Sequence, residues 1–197
     1  MSTEIKRPVF FCGENPGLTL YVPGTEQAVA IVSYWHCTDS PHGIGHALVL
    51  WLAESAQLGH GGIFTDNRGL AEVLIKELTQ HFPEFQNVPV GELAYIDARC
   101  GHVYDGERYT VNCQTAEAIV EIEWRSLLER KQILWPNFPA GEQAFDLSTA
   151  ICPCRFGRIR INEEEVAGEV IVQSENGKYS SSAFLAFAET WVGPIQA

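Results

Sequence analysis

Turn signals arrive too often in this chain to leave room for many helices. They fall at "NPG" 15–17, "VPG" 22–24, "SPHG" 40–43, "HGG" 60–62, "YDG" 104–106, "FPAG" 138–141 and "ENG" 175–177. Glycine, proline, asparagine and aspartate each favour tight turns for their own stereochemical reason, so the segments between them are short. Most of those segments have strand character. In "EAIVEIEW" (117–124), Ala118, Val120, Ile122 and Trp124 fall on one face and Glu117, Glu121 and Glu123 on the other. That period of two is the mark of an antiparallel sheet with one dry face.

Two hairpins are expected. One centres on Asp105-Gly106, since Asp-Gly accepts the positive φ angles of a two-residue turn. The other runs through "FGRIRINEEEVAGEVIV" with its turn near 162–164. Further strands are read at 18–22, 28–34 and 63–65, and the apolar "SSAFLAFAETWV" is read as a strand with neighbours on both sides. The stretch "HALVLWLAESAQLG" (46–59) suits either a helix or a buried strand, and its flanking glycines favour the strand. One helix is clear: Asp66 or Asn67 can cap it, Leu70, Val73, Leu74, Leu78 and Phe82 keep helical spacing, and Pro83 stops it. The expected fold is α+β. A mainly antiparallel, strongly curved sheet or β-barrel carries one helix, at about 67–82, packed against it. A closed all-β barrel is the alternative.

With 197 residues, the sequence reads as one globular domain over 1–197. The net charge of −12 argues against nucleic acid and anionic membranes as partners, because phosphate binding needs clustered Lys and Arg. No apolar run approaches the roughly 20 residues that cross a bilayer. The start lacks the apolar core of a secretory signal, so a cytoplasmic location with reduced cysteines is expected. A homo-oligomer is compatible with the composition. The charge is also uneven: residues 8–67 contain no Lys or Arg but hold Glu14, Glu26, Asp39, Glu54, Asp66 and four histidines. Such a field favours protonated histidine or a bound cation.

Three constellations could carry chemistry. In "YWHCTDSPHGIGH" (34–46), Cys37, His42 and His46 are spaced Cys-x4-His-x3-His, with His36 and Asp39 beside them. Imidazole and thiolate together suit zinc or another transition metal, though Gly43 and Gly45 work against a helix that would bring His42 and His46 together. In "CPCR" (152–155) two thiols share one strand face, with Pro153 at a sheet edge or a strand start, and two buried thiols are the default reading. The third set is polar residues alternating along strands: Asp97 with Arg99, Glu121 and Glu123 with Arg125, and Arg158 with Arg160, next to Trp124. Turned inward, they would orient a small ligand in an apolar cavity; turned outward, they are solvated charges. No hydrolase elbow, phosphate loop, dinucleotide fingerprint or His-Glu-x-x-His helix is present, and no catalytic residue is singled out.

His42, His46, Glu54 and His60 are similar in type to the ligand set of cupin barrels, but the close His-x-His pair of that motif is missing. Residues 153–172, "PCRFGRIRINEEEVAGEVIV", resemble the strand-turn-strand unit of calycin-like barrels, including the lipocalin-like carotenoid hydratase group. The resemblance implies an apolar small molecule held in a barrel, and it transfers no functional residue. The function expected from the sequence is therefore binding of a small, largely apolar ligand, with or without its processing, and without a cofactor. The competing readings are a metal-dependent enzyme built on the Cys37/His42/His46 loop, and an acidic assembly subunit.

Overall fold

The computed structural model describes residues 7–53, 55 and 57–193. The chain forms β1 (Val9–Glu14), β2 (Gly17–Tyr21), β3 (Ala28–Asp39), β4 (Gly45–Leu52), β5 (Gly61–Thr65) and helix α1 (Arg68–Glu77). Then come β6 (Tyr95–Asp97), β7 (Arg99–Tyr104), β8 (Arg108–Gln114), β9 (Ile119–Leu127) and β10 (Lys131–Ala140). The last elements are β11 (Gln143–Ile161), β12 (Glu164–Glu165), β13 (Val172–Glu175), β14 (Lys178–Ser181) and β15 (Ala183–Val192). This is the α+β, mainly antiparallel architecture that the alternation and the capped helix predict.

The main sheet runs in the order β6-β5-β4-β3-β1-β15-β11-β9-β8-β7, with β2 bridging β3 and β15. Its two ends are neighbours in sequence. β6 lies parallel to β5, β7 lies antiparallel to β8, and only Ala98 separates β6 from β7. The Ala98 N–H donates to Thr65 O at 2.9 Å, so one continuous stretch of chain belongs to both edges. The sheet closes into a barrel, which removes the exposed edges a long open sheet would carry. Its strand order, with β1 between β3 and β15, is not the simple up-and-down meander of lipocalin-type barrels.

Closure divides the apolar residues by strand parity. Leu48, Leu50 and Leu52 of β4 point inward with Val32, Phe64, Val111, Ile122, Trp124 and Leu185. Ala47 and Val49, one residue out of phase, face outward and receive Leu70, Leu74 and Ile75 of α1 together with Ile63 and Trp35. Each side chain fully buried this way contributes about 1.5–3 kcal/mol relative to an exposed one.

Three expectations are corrected. The helix does not run to residue 82: it starts as read, with the Asn67 side chain accepting from the Leu70 N–H, but ends at Glu77. Thr79–His81 tighten into a 3-10 turn, because Phe82 before Pro83 must leave the helical region and stands at φ −70°, ψ 142°. Pro153 is neither at an edge nor at a strand start. It lies inside the 19-residue β11, between Ile151, which faces Lys131 at the start of β10, and Cys154, which faces Leu127 at the end of β9. The missing N–H falls in the gap between two partners, so no ladder bond is lost. Finally, the cysteines are not all reduced: Cys100 and Cys113 are bonded across β7 and β8, while Cys12, Cys37, Cys152 and Cys154 are free. Cys152 and Cys154 are the buried pair expected, and burial pushes the Cys154 thiol up to about 12.

Candidate metal centre

"YWHCTDSPHGIGH" is a β-hairpin. β3 brings Tyr34 and His36 to the inner face and sends Trp35 and Cys37 outward; β4 brings His46 inward above Leu48. The register places His36 directly opposite His46, and the two rings stack at 4.9 Å and 11°. The third member comes from β7, where His102 follows Cys100 on the inner face; its ring is 4.5 Å from that of His36. One ring nitrogen of each of His36, His46 and His102 lies within 4.8 Å of the other two. All three are half-buried at one mouth of the barrel.

Glu14, at the end of β1, borders the group. Its Oε2 lies 3.7 Å from His36 Nδ1 and 3.6 Å from His102 Nε2. Gly13 makes this approach possible: a Cβ there would sit 1.8 Å from the His36 carbonyl oxygen. Four donors around one zinc-like ion at ordinary bond lengths stand about 3.3 Å apart, so the three imidazoles, within 4.8 Å of one another, would draw in on a metal, and Glu14 would move toward His46 to join them.

Each donor is also held from behind. Asp66, just past β5, accepts from the His46 backbone N–H and from its Nδ1, both at 2.6 Å. That leaves His46 Nε2 free. Tyr34 Oη lies 3.3 Å from His102 Nδ1, and with the proton on Nδ1 the ring donates to it and frees Nε2. The Tyr109 hydroxyl donates to Glu14 Oε2 at 2.5 Å, and the Tyr109 ring stacks on His102 at 5.0 Å and 6°. Carboxylate and phenol partners of this kind fix ring orientation and raise ligand basicity. His36 Nδ1 is buried and has no hydrogen-bond partner. A buried orphan nitrogen facing a carboxylate is costly unless something else fills the gap.

Electrostatics point the same way. Burial first, then the charges of neighbouring histidines, push the His36 and His102 imidazoles below their ordinary range. Glu14 opposes this only in part. The neutral ring is the form that binds metal. Burial and the Glu14 carboxylate drive the Tyr109 and Tyr34 phenols far upward, so both stay protonated.

Of the metal candidates read from sequence, His36 and His46 are brought together and Cys37 and His42 are not. Cys37 lies on the opposite face of β3, its thiol 3.5 Å from Gly43 O and pushed up by burial. His42 is exposed in the turn, edge-on to Phe10. His60 lies away from the cluster with Nδ1 3.2 Å from Leu52 O, and Glu54 lies outside the described residues. His102 and Glu14 were missed, since they come from β7 and β1, strands that only the folded sheet brings to the hairpin.

The alternating polar residues take the outer wall rather than the lumen. Arg158 pairs with Glu123 at 3.1 Å, Arg160 with Glu121, and Arg125 lies 3.6 Å from Glu123. Arg125 and Glu123 line shallow external depressions of about 640 and 260 Å³ respectively, with charges already matched. Asp97 and Arg99 are exposed. Trp124 alone faces inward, fully buried, with Nε1 donating to Gly17 O at 2.8 Å. It fills the core beside Tyr109 rather than lining an empty space.

No family model matches the chain, and no curated protein matches it. Among solved structures, an acetoacetate decarboxylase from Legionella pneumophila subsp. pneumophila str. Philadelphia 1 is similar at a TM-score of 0.39 and 11% identity, over 98% of this chain and 88% of that one. At that distance the likeness says nothing about chemistry. No helix among the described residues is long and apolar enough to cross a membrane.

Proposed function

We propose that the barrel mouth binds one divalent transition-metal ion through His36, His46 and His102, with Glu14 as the fourth ligand, and that the chain is a metal-dependent enzyme acting on a small molecule. The reading rests on one observation: three imidazoles from three strands converge within 4.8 Å of one another. Nitrogen-rich sites of this type suit zinc, iron, cobalt or copper better than magnesium or calcium. The metal would act as a Lewis acid on an oxygen of the bound molecule. The Glu14 carboxylate would balance its charge, and Asp66 would hold His46 in place. The barrel interior below is filled by Trp124, Tyr109 and aliphatic side chains, so the ligand would sit at the mouth rather than deep in the lumen.

The test is direct. Chelator-stripped, untagged protein is titrated with Co(II), read by its visible spectrum, and with Zn(II), read by calorimetry. One ion per chain is expected, with binding abolished in His36→Ala and His102→Ala but retained in Cys37→Ala and His42→Ala. Binding that is absent, or that survives in both of the first two variants, would overturn the assignment.

A further inference from the structure

The three strands that carry the histidines are not equally held. β3 pairs with β1, β2 and β4, and β4 pairs with β3 and β5, so His36 and His46 stand on strands laddered on both sides. β7, which carries His102, has a ladder with β8 alone among the described residues. The position of His102 therefore depends on one hairpin.

A covalent link stiffens that hairpin. Cys100 and Cys113 lie directly opposite each other on β7 and β8 and are joined by a disulfide, while the other four cysteines are free. Cys100 stands two residues before His102, so the two side chains share the inner face, roughly 7 Å apart along the strand. The bridge forms the layer beneath the histidine, with Cys100 Sγ 3.8 Å from Phe64 O and Cys113 fully buried. The remaining supports of the His102 ring, the Tyr34 hydroxyl and the Tyr109 face, are non-covalent.

This link can be undone without altering any ligand. Cys113 is sealed in the core, but Cys100 is partly exposed, which leaves one sulfur for a reductant to approach. A thiolate of a dithiol would attack Cys100 Sγ, form a mixed disulfide and release Cys113 as a thiolate that takes up a proton. The second thiol would then displace Cys100 and close the reductant's own disulfide. Two electrons and two protons pass to the chain, which gains two thiols, and the dithiol leaves oxidised.

Resting on the metal reading above, we infer that the Cys100–Cys113 bridge is a redox control on the metal centre: the bonded form holds His102 in the cradle, and reduction by a dithiol loosens β7 and lowers the affinity for metal. Co(II) titrations compare the bonded protein with protein reduced by a phosphine that is then removed without air, far-UV circular dichroism showing that both stay folded. The Kd is expected to rise at least about tenfold on reduction, the scale of losing a support behind a metal ligand. A Cys100→Ser, Cys113→Ser double variant should bind like the reduced form, and the reduced wild type carries the test if that variant does not fold. By linkage, saturating zinc should make the bridge harder to reduce, lowering its midpoint in glutathione buffers by about 30 mV for each tenfold in affinity, whereas a purely structural bridge has one midpoint with and without zinc. Equal Co(II) affinities in the bonded and reduced forms, or a bridge that resists reduction while the protein stays folded, would overturn the inference while leaving the metal centre standing. Failure of the bonded form to take up Co(II) would overturn the metal reading and this one with it.

Discussion

Glu189 of β15 is buried opposite Gly13 of β1 at 4% exposure, and no cation among the described residues pairs with it. Its carboxyl accepts from Trp191 Nε1 at 2.6 Å and also engages Thr149 and Asn15. Those bonds favour the ionised form, but burial outweighs them and pushes the group up to about 7 from an ordinary 4.5. A carboxyl raised on folding contributes its full stability below its unfolded pKa. That contribution is lost as pH rises through the folded value. From the shift, the protein should lose about 3 kcal/mol between pH 4.5 and the region above 7 on account of this one residue. Glu189→Gln removes the titration while keeping the shape and the acceptor for Trp191. Urea unfolding of both proteins at pH 5, 6.5 and 8 isolates the effect as a difference, since every other group titrates in both. The variant should be no more stable at pH 5 and about 2–3 kcal/mol more stable at pH 8, or roughly 4–12 °C in Tm. Parallel profiles from pH 5 to 8 would show that the carboxyl is not held neutral, and the reasoning would fail.

Three further outcomes are expected. Zinc at a hundredfold excess over its Kd should stabilise the wild type by about 2.7 kcal/mol, seen as a Tm rise of roughly 5–11 °C that chelator reverses and that His36→Ala lacks. Asp66→Asn should weaken Co(II) binding by about 10–100-fold in calorimetry, because it removes the carboxylate behind His46 while leaving the ring present. Replacing Cys100 and Cys113 together by Ala should lower unfolding free energy by about 2–4 kcal/mol, and a thiol assay should find four reactive sulfurs in denatured, unreduced wild type against six after reduction.

The legible parts of this fold were those fixed by local stereochemistry. Alternation marked β9, Asp105-Gly106 marked the turn between β7 and β8, and Asn67 marked the start of α1. A centred turn carries more than was drawn from it. With Tyr104 opposite Tyr109, counting outward sets Cys100 opposite Cys113, so the disulfide was implicit in the hairpin. The same counting across "TDSPHG" sets His36 opposite His46. Spacing along the chain misled because it compared His42 with His46, whereas in a hairpin the partner of a residue lies across the turn. Glu14 and His102 could not be reached by such counting. Their strands meet the β3–β4 hairpin only through β1–β3 pairing and through the Ala98 closure, both set by long-range packing. Inside and outside were equally hidden, since Glu123 and Trp124 alternate identically whichever way the sheet curls.

The pairing of β1 with β15 also bears on how the protein is made. Val9 lies opposite Val192, and the Gly193 N–H donates to Pro8 O at 2.9 Å, so the first described strand finds its partner in the last. A nascent chain leaving the ribosome would hold β1 and its Glu14 against β3 alone, one side of the barrel open, until β15 had emerged. Contacts of such long range are slow to form, and an open seam exposes apolar wall meanwhile.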